Sequence, residues 1–114
     1  MSQRSDLDAE TFEEKKFTDY FPKLQTAYKR AFNELNETYD SELVHAIDQQ
    51  ILNESEPHYE GDGEFSVELP ENPLERLEGV VASDEKIHEL LDLHVAAIER
   101  QLRVAFGFES ENPE

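Results

Sequence analysis

Between Ser83 and Phe106 the apolar positions Ile87, Leu91, Ile98, Leu102 and Ala105, with His94 among them, recur at spacings of three and four. That period places them on one stripe of an α-helix. Leu90, Leu93, Ala97 and Val104 widen the stripe on one side, and Val95 and Phe106 widen it on the other. The ends are equally legible. Ser83 is a good N-cap, Asp84 and Glu85 oppose the positive end of the helix dipole, and Gly107 is suited to the left-handed conformation that stops a helix. A helix so apolar around its girth needs neighbours on more than one side.

The same reasoning covers the rest of the chain. Asp8 predicts a cap for a helix running to about Asp19, anchored by Phe12 and Phe17, and Tyr20-Phe21-Pro22 breaks it. Pro22 suits the first turn of a second helix carrying Leu24, Ala27, Tyr28, Ala31, Phe32 and Leu35 on one side and ending near Asn36–Thr38. Asp40 or Ser41 recaps a third helix with Leu43, Val44, Ile47 and Ile51 on one face, unless Pro22–Leu52 is a single kinked helix. The period then drops to two. Phe65, Val67 and Leu69 alternate with Glu64, Ser66 and Glu68, the pattern of a half-buried strand. Gly61-Asp62-Gly63 reads as a hairpin loop with His58-Tyr59-Glu60 as the incoming strand, Leu74–Glu78 as a short helical turn, and Gly79–Ala82 as a candidate third strand. The expected fold is α+β, mostly α. Four to five helices carry one small antiparallel hairpin, two- or three-stranded, between the third helix and the long C-terminal one. Residues 1–7 are expected to be a mobile N-terminus, 8–107 a single domain and 108–114 an acidic tail.

Charge changes the picture. The chain has 28 acidic and 10 basic residues, a net charge of −18, yet 37% of it is hydrophobic. An acidic disordered tail lacks those apolar residues, so the composition describes a folded domain with an acidic skin. Such a surface repels itself in dilute buffer and is screened in molar salt, which points to a salt-rich cytoplasm. An acidic nucleic-acid mimic is the alternative. A mimic gathers its acids on one face, whereas here every predicted element carries them. The chain has no Cys, and no apolar run approaches the roughly 20 residues that span a bilayer. No membrane or nucleic-acid partner is expected, and the location read from these features is cytoplasmic.

The block YDSELVHAIDQQILNESEP, followed by YEGDGEFSVELP, resembles a family of small acidic proteins of halophilic archaea described only as a domain of unknown function. The likeness runs from about Phe17 to Phe108. It implies a halophilic archaeal cytoplasm and carries no activity and no functional residues.

Candidate chemistry is sparse. Glu42 with His45, and Glu85 with His88, form two E-x-x-H pairs, a spacing used by di-metal carboxylate bundles. These four residues define the metal-binding alternative, a di-metal oxidase or storage protein. The helical wheel sets His45 opposite its apolar face and Glu85 on the polar arc, so solvated pairs, no metal and no other cofactor are the expectation. His94 falls on the apolar stripe and is expected to be a buried histidine bonded to a tyrosine hydroxyl, from Tyr20, Tyr28, Tyr39 or Tyr59. Lys15-Lys16 and Lys29-Arg30 read as isolated basic pairs, the latter with Lys23 able to hold a small anion. With no Cys nucleophile, serine elbow or glycine-rich phosphate loop, the chain reads as no enzyme but as a protein-interaction or regulatory module. Its partner protein is not legible. The first partner expected is a second copy, a homodimer meeting through an exposed ridge of Leu90, Leu93, Ala97 and Val104, the alternative being a monomer whose hairpin lies along that ridge and covers it.

Overall fold

The computed structural model describes residues 7–109. Helix α1 (Ala9–Lys15) starts where the Asp8 carboxylate accepts from the Thr11 N–H at 2.7 Å. It stops a turn early, because Thr18 and Tyr20 both donate back to the Lys15 carbonyl. Helix α2 (Phe21–Thr38) has Pro22 in its first turn. At Tyr39 the backbone becomes extended, and the Asp40 carboxylate accepts from Glu42 and Leu43 N–H to begin α3 (Ser41–Gln50). These are therefore two helices, not one kinked one. A 3-10 turn (Leu52–Glu54) leads into strand β1 (Glu56–Gly61), which pairs antiparallel with β2 (Glu64–Glu68). After a second 3-10 turn (Pro73–Arg76), the Ser83 hydroxyl accepts from Lys86 N–H and opens α4 (Asp84–Ala105). The architecture is α+β, mostly α, with the hairpin between α3 and the C-terminal helix.

The third strand does not form; the sheet has two strands among the described residues. The Gln50 amide takes both backbone groups of Glu78, donating to its carbonyl at 3.2 Å and accepting its N–H at 2.9 Å. These two bonds tie the residue just before the expected strand Gly79–Ala82 to α3, away from the hairpin.

The core has two parts. Leu24, Ala27, Ala31 and Leu35 of α2, Leu43, Val44 and Ile47 of α3, and Ile87, Leu90, Leu91, Ala97, Ile98 and Leu102 of α4 form an aliphatic half. The other half is aromatic. Phe12 of α1 is fully buried at its centre, with the Phe65 and Phe106 rings at 5.6 and 5.7 Å and Tyr20 and Tyr59 beyond them. Each ring fully removed from water contributes about 1.5–3 kcal/mol, so this cluster is what seats the hairpin on the helices. Phe108 is the first residue of the acidic tail that the sequence predicts. It stacks on Tyr59 at 5.7 Å, and residues 110–114 of that expected tail lie outside the described residues, as do 1–6 of the expected mobile N-terminus. Leu7 is half-buried against the core.

Opposite partners in the hairpin are Tyr59 with Phe65, Pro57 with Val67, His58 with Ser66 and Glu56 with Glu68. The alternation sends Tyr59 and Phe65 into the core and leaves His58, Glu56 and Glu68 on the other face. The loop Asp62-Gly63 has φ of +54 and +77, the left-handed pair that a two-residue hairpin turn demands. Gly63 is required twice, since a Cβ there would meet the Phe108 ring at 3.1 Å.

Candidate functional site

Glu56 and Glu68 face each other across the open end of the hairpin, and α1 brings a third carboxylate, Glu13, to the same place. Like charges directly opposite in a ladder repel. Two cations resolve this. Lys16, only 2% exposed, sets its ammonium 2.7 Å from Glu13 and 2.6 Å from Glu56, and donates to the Pro57 carbonyl at 3.0 Å. His58 lies between Glu13, 2.7 Å from Nδ1, and Glu68, 2.8 Å from Nε2. Donation to both carboxylates requires a proton on each nitrogen, so this geometry calls for the imidazolium. The bond to Glu13 raises the His58 pKa, partial burial opposes it, and the bond to Glu68 adds to the rise. Burial would lift the Glu13 carboxyl, but its bonds from Lys16 and His58 hold it below its ordinary value.

Glu13, Glu56 and His58 are the one group of three with metal-ligand spacing among the described residues. Their donor atoms are already spent on Lys16, on His58 itself and on Glu68. The buried ammonium already bonds two of the three, Glu13 and Glu56. The cluster carries its own cation and functions as a clamp of α1 onto the hairpin.

Over this clamp sits an aromatic surface. The Lys16 ammonium lies 5.4 Å from the centre of the Phe17 ring, which is 59% exposed. The Phe21 ring is 6.4 Å from Phe17 and 41% exposed. The two flank a groove of about 350 Å³ whose walls are Leu24, Tyr28, Leu52 and Pro57, with Gln25, Asn53 and Ser55 at its rim. No charged side chain lines it, whereas the larger groove along α3 holds Asp40, Glu42, Glu78 and Lys86. Tyr28 and Ser55 share a hydroxyl–hydroxyl bond of 3.0 Å that joins α2 to the turn before β1.

A family model described as "Family of unknown function (DUF5783)" matches residues 4–109. The chain belongs to this family. The match reaches further toward both ends than the resemblance read from Phe17 to Phe108. No curated protein and no solved structure matches the chain.

In this DUF5783 domain the residues singled out from the sequence scatter. Glu42, His45, Glu85 and His88 all lie on the surface and do not gather into a ligand set; His45 bonds the Ser41 carbonyl through Nδ1 at 3.0 Å and meets the Phe32 ring edge-on at 4.8 Å. The continuous ridge is broken. Leu90 and Ala97 are buried within the single chain, Val104 is half-buried, and only Leu93 is exposed, at 38%. Helix α2 packs along α4 and covers the flank that the wheel alone left open. His94 is fully buried as expected, but neither ring nitrogen has a partner among the described residues. Tyr28 is committed to Ser55, and the Tyr59 hydroxyl accepts from Gly63 N–H. Burial without a partner pushes the His94 pKa down to about 4. Lys23 reaches the Ala105 carbonyl at 3.4 Å and the face of Phe106, closing the end of α4. The sequence pattern does not show the clamp: there Lys16 reads as half of an isolated basic pair with Lys15, and His58 as a strand residue. Its one sequence signal is that Glu13 and Lys16 share a helical spacing.

Among the described residues no helix is long and apolar enough to cross a membrane.

Proposed function

We propose that this DUF5783 domain is a non-enzymatic interaction module of a salt-rich cytoplasm, of the halophilic archaeal kind that its acidic block resembles. The observation that carries the reading is the uncharged groove flanked by Phe17 and Phe21 on a chain of net charge −18. Exposed aromatic side chains adjoining an apolar groove are a surface that gains free energy when a partner removes them from water. The neighbouring titratable groups support binding over catalysis, because Glu13, Glu56, Glu68, Lys16 and His58 satisfy one another and none is left aimed at a substrate. In molar salt, surface charge is screened within about 3 Å while apolar contacts keep their strength, so such a groove is the surface that still binds there.

The test is a capture experiment with the immobilised chain in extract of its native host, at dilute and at molar KCl. Wild type and the double variant Phe17→Ser/Phe21→Ser are compared. The expected result is a partner held by the wild type in molar KCl and lost from the variant. A basic partner that the variant also holds, and that salt releases, would overturn this reading in favour of the acidic mimic.

A further inference from the structure

We infer that the Phe17/Phe21 groove takes a short extended segment of another protein, one whose apolar side chains enter the groove and whose flanking lysine or arginine meets the carboxylates around it. The inference rests on the association reading above and names the chemistry of the partner. The groove supplies the apolar half of that description. Phe17 in the turn after α1 and Phe21 at the start of α2 stand beside walls made by Leu24, Tyr28, Leu52 and Pro57. Gln25 and Asn53 at the rim each carry an amide, which donates and accepts as a peptide group does, so they can take the backbone of an extended segment.

Charge supplies the other half. No charged side chain lines the groove, but carboxylates adjoin it on both sides. Asp19 lies in the turn between Phe17 and Phe21, Glu54 lies between Asn53 and Ser55, and both are mostly exposed. Their own cations, Lys15 at 3.8 Å and Arg76 at 3.4 Å, are loose surface partners that an incoming cation can replace. Glu56 is a third. Burial raises the pKa of the Tyr28 hydroxyl, its bond with Ser55 opposes this, and the Glu56 charge adds to the rise, so that carboxylate is felt at the groove wall. An occupant that covers the groove takes water from these acids. A neutral or acidic occupant leaves them uncompensated, whereas a cation beside its apolar residues offsets the loss. The whole chain acts in the same direction, since a net charge of −18 attracts a basic segment and repels a second copy of itself.

Size selects a segment over a folded face. A groove of about 350 Å³ lies near the lower end of the roughly 300–1,000 Å³ that small ligands occupy, room for a few side chains. What these bury falls short of the roughly 1,200–2,000 Å² of a standard interface between folded proteins. A short segment does not need that area where its site is already in place. Lys16 beneath Phe17 is fixed to Glu13, Glu56 and the Pro57 carbonyl, and the Tyr28–Ser55 bond fixes one wall, so little order has to be acquired on docking. Binding is accordingly weak, micromolar or above.

Selection from a displayed library of random short peptides on the immobilised chain tests it, after counter-selection on Phe17→Ser/Phe21→Ser removes peptides that bind the acidic skin alone. The expected survivors carry neighbouring apolar residues with lysine or arginine beside them. In fluorescence anisotropy the double serine variant should lose them with its helical circular dichroism unchanged. Asp19→Asn/Glu54→Gln, which leaves the groove walls intact, should weaken them roughly two- to tenfold in dilute KCl and less in molar KCl. Survivors without a basic residue overturn the inference, and so does binding that Asp19→Asn/Glu54→Gln leaves unchanged in dilute KCl. A dimer in sedimentation velocity that the double serine variant loses overturns it too, because the groove would then hold a second copy. If the extract partner depends on Phe17 and Phe21 while no library peptide does, the inference falls and the association reading stands. If neither depends on them, both fall.

Discussion

Lys16 is the residue whose neighbours its own segment foretells least. A buried ammonium is tolerated only when paired, and here two carboxylates and a carbonyl surround it. The partners are unequal in exposure, since Glu13 and Glu56 keep 44% of their side-chain surface while Lys16 keeps 2%. Removing the lysine returns its partners to water; removing the partners strands a buried charge. Lys16→Met is therefore expected to cost about 1–3 kcal/mol, and Glu13→Gln with Glu56→Gln about 3–5 kcal/mol. Urea unfolding of the two variants measures this, and an equal loss would show that the ammonium reaches solvent. His94 presents the opposite case, a buried base with no partner. Its pKa is about 4 in the folded chain against 6.5 ordinarily, so between those values the unfolded chain binds the extra proton. The resulting penalty is absent above pH 6.5 and grows as pH falls toward 4, to a total of about 3 kcal/mol. His94→Leu is expected to flatten that acid limb and to raise stability at neutral pH by about 1–2 kcal/mol, read from melts across the range.

At the scale of elements, α4 is the piece around which the others are ordered. Its caps, length and apolar girth are local properties, and the pattern from Ser83 to Gly107 predicts them well. What the wheel does not contain is the position of α2, which packs along α4; in the folded chain Leu90 and Ala97 are buried while Leu93 stays exposed. Leu90→Glu is thus expected to unfold the domain, because it buries a charge with no partner at a cost of several kcal/mol. Leu93→Glu should stay within about 0.5 kcal/mol of the wild type, as exposed sites do. Circular dichroism melts of the pair measure it, and a folded Leu90→Glu protein would mean that Leu90 is not part of the core. Phe12 and Phe17 show the same limit in α1. Five residues apart, both are apolar anchors by sequence pattern, yet one lies at the centre of the aromatic core and the other is mostly exposed. The helix ends at Lys15, so Phe17 sits in a turn where the helical period no longer assigns a face.

For the whole molecule, two histidines of opposite sign define a window of stability. His58 contributes while it is protonated; its bond to Glu13 raises its pKa, so that contribution is present below about pH 6.5 and is lost as pH climbs through the raised value. His94 contributes from the other side. Stability is expected to be greatest near pH 6–7 in melts at fixed salt. His58→Gln should remove the alkaline decline and His94→Leu the part of the acid decline that begins below pH 6.5, leaving the part due to the depressed Glu13 carboxyl; a decline left intact by either variant would assign it to other groups. Salt acts on the same molecule through its net charge of −18. Raising KCl from dilute to molar screens self-repulsion, and each kcal/mol so relieved lifts Tm by about 4–8 °C for a domain near this size. A flat profile would argue against the acidic skin as an adaptation to salt.

The sequence by itself determined the four helices and the hairpin, their order, most of their caps and the place of the hairpin turn, because each depends on residues within a few positions of one another; that Gly61 belongs to the strand, and that Gly79–Ala82 does not form one, it did not determine. Asp8, Asp40, Ser83 and Asp62-Gly63 carry that information locally. Only the tertiary structure decided which apolar flank is covered, that the segment before α4 binds Gln50 rather than the hairpin, and that Lys16 and His58 hold α1 to β1. The clamp joins Lys16 to Pro57 and Glu13 to His58 across separations of 41 and 45 residues. Such pairings exist only once the aromatic core has docked the hairpin against α1, and no periodicity along the chain records where that docking places a charge.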